Sequence, residues 1–226
     1  MIVISKKILS FLKILDLKIK LPGEVEVMNP YKEAGTYKIC NKFYSKYYND
    51  TYPRHLILGI NPGRFGGGIT GIPFTDPLRL LSVCDIENDF PKKQELSSVF
   101  MYEMIAAFGG PENFYNKFYI SSISPLGFTK NNKNLNYYDD RDLEQSLREF
   151  VIESIKLQLN FGISSDVVFC LGEGKNFKYL LKLNDEMKFF EKVVPLPHPR
   201  FIMQYKLKKK DEYIEQYLSE LRKFCG

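Results

Sequence analysis

Four short apolar runs that alternate with helical patterns predict an α/β fold, a three-layer α/β/α arrangement around a central four-stranded, mainly parallel sheet. Three observations carry this expectation. The runs at 55–60, 118–123, 167–171 and 193–196 each have the length and apolarity of one buried strand. Helix-like stretches fill the intervals between them. Each run stops at Gly, Pro or Ser, the residues that turn a chain out of a sheet. Right-handed crossovers would place all four strand ends on one rim. The loops at 61–74, 122–130, 172–176 and 197–205 are therefore expected to converge.

The elements follow in order. Ile8, Phe11, Leu12 and Leu15 recur at helical spacing, so the Lys-interrupted N-terminus reads as an amphipathic packing helix rather than a signal peptide or membrane span. Pro22-Gly23 and Asn29-Pro30 mark a loop. Residues 36–49, rich in Tyr and Lys, read as a second helix with an amphipathic surface; contact with nucleic acid is the less favoured reading. Residues 1–50 thus form a helical extension packed on a single domain spanning 1–226. After the first strand and its loop, Asp76-Pro77 has the form of a helix start. Residues 97–108 predict a buried helix capped by Ser and stopped by Gly109-Gly110. The polar, Asn-rich stretch 128–142 reads as a surface loop, and a long helix is expected from about 140 to 161. Gly172-Glu173-Gly174 turns the third strand into a helix at 175–183, and a charged helix from about 208 to 224 follows the fourth.

Composition narrows the function classes. The 226 residues carry 32 basic and 27 acidic side chains, a net charge of +5, which is compatible with a polyanionic partner without pointing to one. The four cysteines, at 40, 84, 170 and 225, form no Cys-x-x-Cys, so neither an iron–sulfur cluster nor a zinc ribbon is expected, and a reducing cytoplasm is the simplest setting. No His, Asp or Glu cluster has metal-ligand spacing. No metal, no organic cofactor and a monomeric working form are expected.

The stretch with the most chemistry is GINPGRFGGGITGIPF at 59–74, in which six of sixteen residues are Gly and two are Pro. A strand that meets this much Gly and Pro must end, leaving a loop that can bring bare backbone N–H groups to a ligand. It lacks the Gly-Lys-Ser/Thr of a phosphate-binding loop and does not open directly into a helix as Gly-x-Gly-x-x-Gly does. The fourth strand delivers Pro197-His198-Pro199-Arg200 to the same rim. His55, at the start of a strand, belongs to the opposite rim and reads as structural. Taken alone, Asn61 is a turn-capping residue, Phe65 a core plug and Ser122 an ordinary buried hydroxyl or a ligand contact.

Together these residues carry a resemblance. The stretch through Gly59, Asn61-Pro62-Gly63, Phe65-Gly66, Thr70-Gly71 and Pro73-Phe74 resembles the first motif of the single-strand-selective monofunctional uracil-DNA glycosylases. His198-Pro199 is similar to the His-Pro that opens the second motif of the wider uracil-DNA glycosylase superfamily. Ser124-Pro125-Leu126 is similar to the family's Cys-Pro-Leu. The likeness runs in order from about residue 55 to 200, and is nearer to a bacterial second branch than to the vertebrate enzymes. Two departures stand out. Ser122 occupies the place of the Asn that reads the Watson–Crick edge of uracil, and Arg200 through Tyr205 replace the usual Ser-Pro-Arg-Asn-Pro wedge.

The resemblance implies a monofunctional DNA glycosylase of base excision repair that hydrolyses the N-glycosidic bond of uracil or a related damaged base, with DNA as its partner. It implies Asn61 as the residue that positions water and His198 as the donor to the departing base. Ile60, Gly63, Phe74 and Ser122 would bind the flipped base, and Arg200, Phe201, Ile202 and Lys206 would engage DNA. No Lys is placed for lyase chemistry. Two alternatives remain at this stage: a non-catalytic nucleic-acid-binding member of the same fold, or a nucleotide-binding α/β enzyme that uses the glycine loop as a phosphate cradle.

Overall fold

A computed structural model describes residues 2–225. Two helices come first, α1 (Ile4–Ile14) and α2 (Ala34–Tyr47), with a short strand β1 (Glu26–Met28) between them. Then follow β2 (Arg54–Gly59), the short helices α3 (Gly67–Thr70) and α4 (Pro77–Ser82), the long α5 (Leu96–Phe108), α6 (Pro111–Tyr115) and β3 (Phe118–Ser122). The hairpin β4 (Gly127–Lys130) and β5 (Lys133–Leu135) precedes α7 (Arg141–Leu159). The chain ends with β6 (Ile163–Leu171), α8 (Lys175–Met187), β7 (Lys192–Leu196), α9 (Pro199–Tyr205) and α10 (Lys210–Arg222).

The main sheet has the order β3-β2-β6-β7, and each neighbouring pair is parallel. This is the expected three-layer architecture. The centre of β2 and all of β3 are buried, which is why these strands read as unbroken apolar runs instead of alternating ones. β2 begins with a buried charge. The Arg54 side chain has 0% exposure and donates to both Asp50 carboxylate oxygens, at 2.9 and 2.7 Å, and to the Tyr115 carbonyl at 2.7 Å.

The N-terminal helices join the same core. Ile8, Phe11, Leu12 and Leu15 are buried as their spacing requires, and Phe43, Tyr44 and Tyr47 of α2 pack on Tyr115 and Tyr119 instead of facing solvent. His55 is a structural histidine. Its ring nitrogens lie 3.2 Å from Asp166 and 2.7 Å from the Phe224 carbonyl, tying the C-terminal end to the sheet.

Several local expectations are corrected. The stretch read as a surface loop contains the β4–β5 hairpin, which forms a second, antiparallel sheet with β1 in the order β1-β4-β5. Its strands are only four and three residues long, too short to show strand-like alternation, although β4 is the central strand of this sheet and buries Phe128. The helix at 96–108 is capped by the backbone of Glu95; Ser98 instead accepts from the Asp76 backbone N–H at 3.2 Å. Asp76 does cap α4, accepting from the Arg79 N–H at 2.8 Å with Pro77 at the first helical position. The segment after His198, read as part of a loop, is the helix α9.

Candidate active site

The glycine loop is shaped by two close approaches. Gly59, the last residue of β2, has no side chain and so leaves room for the Phe74 ring: a Cβ there would sit 2.9 Å from two ring carbons. Phe74 itself has φ of 55°, a left-handed conformation that a bulky residue adopts only when its surroundings impose it. The Thr70 hydroxyl supplies that constraint, donating to the Thr75 carbonyl at 2.7 Å and accepting from the Ile72 N–H at 3.2 Å. The chain on either side of Phe74 is thereby pinned and the ring is turned inward.

Asn61 is held in one orientation by the hairpin. Its Nδ2 donates to the Leu135 carbonyl at 3.2 Å, and its Oδ1 accepts from the Tyr137 N–H at 3.0 Å. A flipped amide would lose both bonds, so the oxygen's position is set. One lone pair of Oδ1 remains for a further donor.

His198 is fixed with equal definition. It caps α9, its Nδ1 accepting from the Arg200 N–H at 3.1 Å. An acceptor Nδ1 requires the proton on Nε2, so the ring presents an N–H donor from its free side. Burial, assisted by the nearby Arg200 charge, lowers its pKa to about 4, so the imidazole is neutral at physiological pH. Behind it, Pro197 accepts a hydrogen bond from the buried Tyr217 hydroxyl. The ring centroids of His198 and Phe74 are 5.8 Å apart.

These side chains open into a single cavity of about 780 Å³. Of the residues singled out from sequence, Ile60, Asn61, Gly63, Phe74, Ser122, His198, Arg200 and Phe201 line it. Ser122 stands at the end of β3, directly across the ladder from Gly59. One expectation fails. Ile202 has 0% exposure and belongs to the core face of α9, because a helix that exposes Phe201 turns the next residue inward. Lys206 is exposed, outside the cavity lining. The 172–176 turn does not line the cavity either; it backs the histidine, with a Cβ on Gly172 falling 3.9 Å from that of His198.

Other lining residues were given no site role from the sequence. Phe65 is not a core plug: it is 46% exposed at the rim, between the Arg64 guanidinium at 5.5 Å and the Lys93 ammonium at 5.6 Å from its centroid. A Lys therefore does reach the cavity edge, although none was expected there. Glu95 and Tyr138 also line the cavity. Burial and the neighbouring Asp76 carboxylate push the Glu95 carboxyl up to about 7, against the pull of Arg200. Nothing in PKKQEL distinguishes this Glu from a solvated one. Asn136 and Tyr138 sit in the stretch read as a featureless loop.

The model of the uracil DNA glycosylase superfamily matches residues 45–222. The chain belongs to that superfamily. Its fold is similar to the crystal structure of wild-type SMUG2 from Pedobacter heparinus, with a TM-score of 0.95 and 52% identity over 98% of each chain. No curated protein matches the chain. As a uracil DNA glycosylase superfamily member it is a DNA glycosylase with a role in base excision repair, and DNA is its partner. Among the described residues of this glycosylase, no helix is long and apolar enough to cross a membrane, and no three His, Cys, Asp or Glu side chains gather as a metal site.

Proposed function

We propose that this glycosylase flips a uracil or related damaged base out of DNA and hydrolyses its N-glycosidic bond with Asn61 and His198 as the catalytic pair. The observation that carries this reading is their shared cavity, with the Phe74 ring beside the imidazole. Extrusion costs a few kcal/mol, and stacking on Phe74 offsets part of it. As the C–N bond stretches, its electron pair moves onto the base and positive charge develops on the sugar. The His198 Nε2–H donates to the base carbonyl oxygen where negative charge builds. Neutral imidazole suffices for that, because with Nδ1 as acceptor its Nε2–H is present as a donor and need not be transferred. The free lone pair of Asn61 Oδ1 orients water toward the sugar carbon, and a cationic sugar needs a positioned nucleophile more than a strong base.

Ile60, Gly63 and Ser122 contact the base. Arg200 and Phe201 engage the DNA beside the extruded nucleotide, and Lys206 contributes charge toward the phosphates. Ser122 in place of a base-reading Asn supports a preference shifted from uracil toward another damaged base. The four free thiols are in keeping with a reducing compartment, and we take the working form to be a cytoplasmic monomer. The phosphate-cradle alternative has less support, since Pro73-Phe74 closes the loop where a ligand-directed helix would have to begin.

The test uses oligonucleotides bearing uracil, 5-hydroxymethyluracil, xanthine or hypoxanthine, followed by alkaline strand cleavage. Wild type is expected to cleave at least one of them. Asn61→Ala and His198→Ala should each lower single-turnover rates by roughly 100-fold or more. Equal rates in wild type and the double variant would remove the assignment. Ser122→Asn should raise the preference for uracil, and borohydride should trap no adduct through Lys93.

A further inference from the structure

The cavity contains a polar side chain that the chemistry of Asn61 and His198 leaves unused. Glu95 is the cap residue of α5, and its backbone N–H is held by the Asp76 carboxylate at 3.0 Å. Its carboxyl has a built seat on the glycine loop: a Cβ on Gly66 would fall 1.8 Å from Oε2. Gly66 also has φ of +61°, so this position needs glycine both for its backbone and for the space it leaves. Among the described residues, no side-chain hydrogen bond or ion pair satisfies the Glu95 carboxyl. A half-buried carboxyl without a protein partner, opening onto a ligand cavity, is available to a partner on the ligand.

The charged groups around it limit what it can be. Behind it, the buried Asp76 carboxylate is already engaged with Arg79, through the backbone N–H at 2.8 Å and the guanidinium at 3.7 Å. Arg200 approaches from α9 without forming an ion pair, Lys93 stands at the rim on the same segment, and His198 is neutral. The incoming ligand is a polyanion whose exposed oxygens are acceptors. An ionised carboxylate would repel it and could offer no donor; a neutral one donates an O–H.

The geometry points to Glu95 as a substrate-contacting residue of this glycosylase, donating a hydrogen bond from its neutral carboxyl to an oxygen acceptor of the extruded nucleotide, on the base or on its phosphate. This rests on the glycosylase reading above. Burial and Asp76, which raise the carboxyl to about 7, keep a useful neutral fraction near physiological pH.

The experiment measures kcat/KM for excision by wild type, Glu95→Gln and Glu95→Ala between pH 6 and 8.5. The Gln amide keeps a donor at every pH. The ratio of the Gln variant to wild type should therefore rise with pH, by about 7-fold across this range if the ionised form keeps the activity of the Ala variant and by at most about 30-fold if it is inactive, for a group titrating near 7. Taking a ratio cancels the pH response of DNA binding and of other groups. Glu95→Ala should be roughly 10-fold below wild type at pH 6, the loss of one hydrogen bond. A methylphosphonate at the target linkage separates the two acceptors: an Ala loss that disappears assigns the phosphate, and one that persists assigns the base. A ratio flat with pH, or an Ala variant equal to wild type at pH 6, would overturn the proposal. Either result leaves the Asn61 and His198 tests standing as separate measurements.

Discussion

Gly59→Ala isolates the contact that positions Phe74, the proposed base-stacking floor. The backbone at Gly59 lies in a strand without positive φ, so alanine is conformationally allowed. Loss of unfolded-state entropy alone would then stabilise the protein by about 0.4–1 kcal/mol. The structure reverses the sign. The new methyl would lie 2.9 Å from two Phe74 ring carbons and 3.4 Å from the Ser122 hydroxyl, closer than van der Waals contact for the carbons. The ring must retreat by a few tenths of an ångström or more, yet its backbone is pinned by Thr70. Overpacking of this kind costs about 1–3 kcal/mol, so the net effect should be a destabilisation of roughly 0–2.5 kcal/mol. For a chain of this length that lowers Tm by at most about 10 °C. Activity should fall further than stability, because a displaced floor misaligns the base with His198, and a misplacement near 1 Å can cost about 100-fold. The assay pairs thermal unfolding with single-turnover excision, in wild type and in a Phe74→Ala background. With the ring removed, Gly59→Ala should cost no stability. A loss of the same size in both backgrounds, or a Gly59→Ala enzyme of wild-type rate, would refute the reasoning.

Other consequences follow from burial and charge. His198 takes up its proton near 6.5 when unfolded but near 4 in the fold, so the unfolded chain binds more protons between those values and stability falls as pH drops through them; the loss, at most about 3 kcal/mol by pH 4, should be absent from urea unfolding of His198→Ala. Arg54→Ala leaves Asp50 and the Tyr115 carbonyl without their donor and should cost about 3–5 kcal/mol, measured by denaturant unfolding, while Lys at this position should rescue little because one ammonium cannot replace the forked contacts. Adjacent residues of α9 should separate cleanly: Ile202→Ala is expected to cost about 2–5 kcal/mol of stability. Phe201→Ala should leave the melting curve nearly unchanged and weaken DNA binding in a fluorescence anisotropy titration.

The parallel sheet was legible because both faces of β3, most of β2 and the last five residues of β6 are covered, and full burial writes itself into sequence as uninterrupted apolar residues. The gathering of Asn61, Phe74 and His198 on one rim followed from strand order and crossover handedness, which are properties of any such chain. The roles expected of those residues came from the family resemblance and not from topology. The β4–β5 hairpin was hidden, since strands of four and three residues are too short for periodicity to show, yet it sets the orientation of the Asn61 amide through Leu135 and Tyr137. The face of α9 was equally hidden: whether Phe201 or Ile202 meets DNA depends on where a seven-residue helix begins its turn, and the cap at His198 decides that.

By itself, the sequence determined the layer order and the loop that ends β2, because local patterns of burial and glycine placement encode each of these, while Asn61 and His198 were singled out through the motifs that carry the family resemblance. Tertiary structure alone decided which nitrogen of His198 carries its proton, that Phe74 rests on Gly59, and that Glu95 enters the cavity. Those features arise from contacts between segments far apart in the chain, and no single segment contains the partner that fixes them.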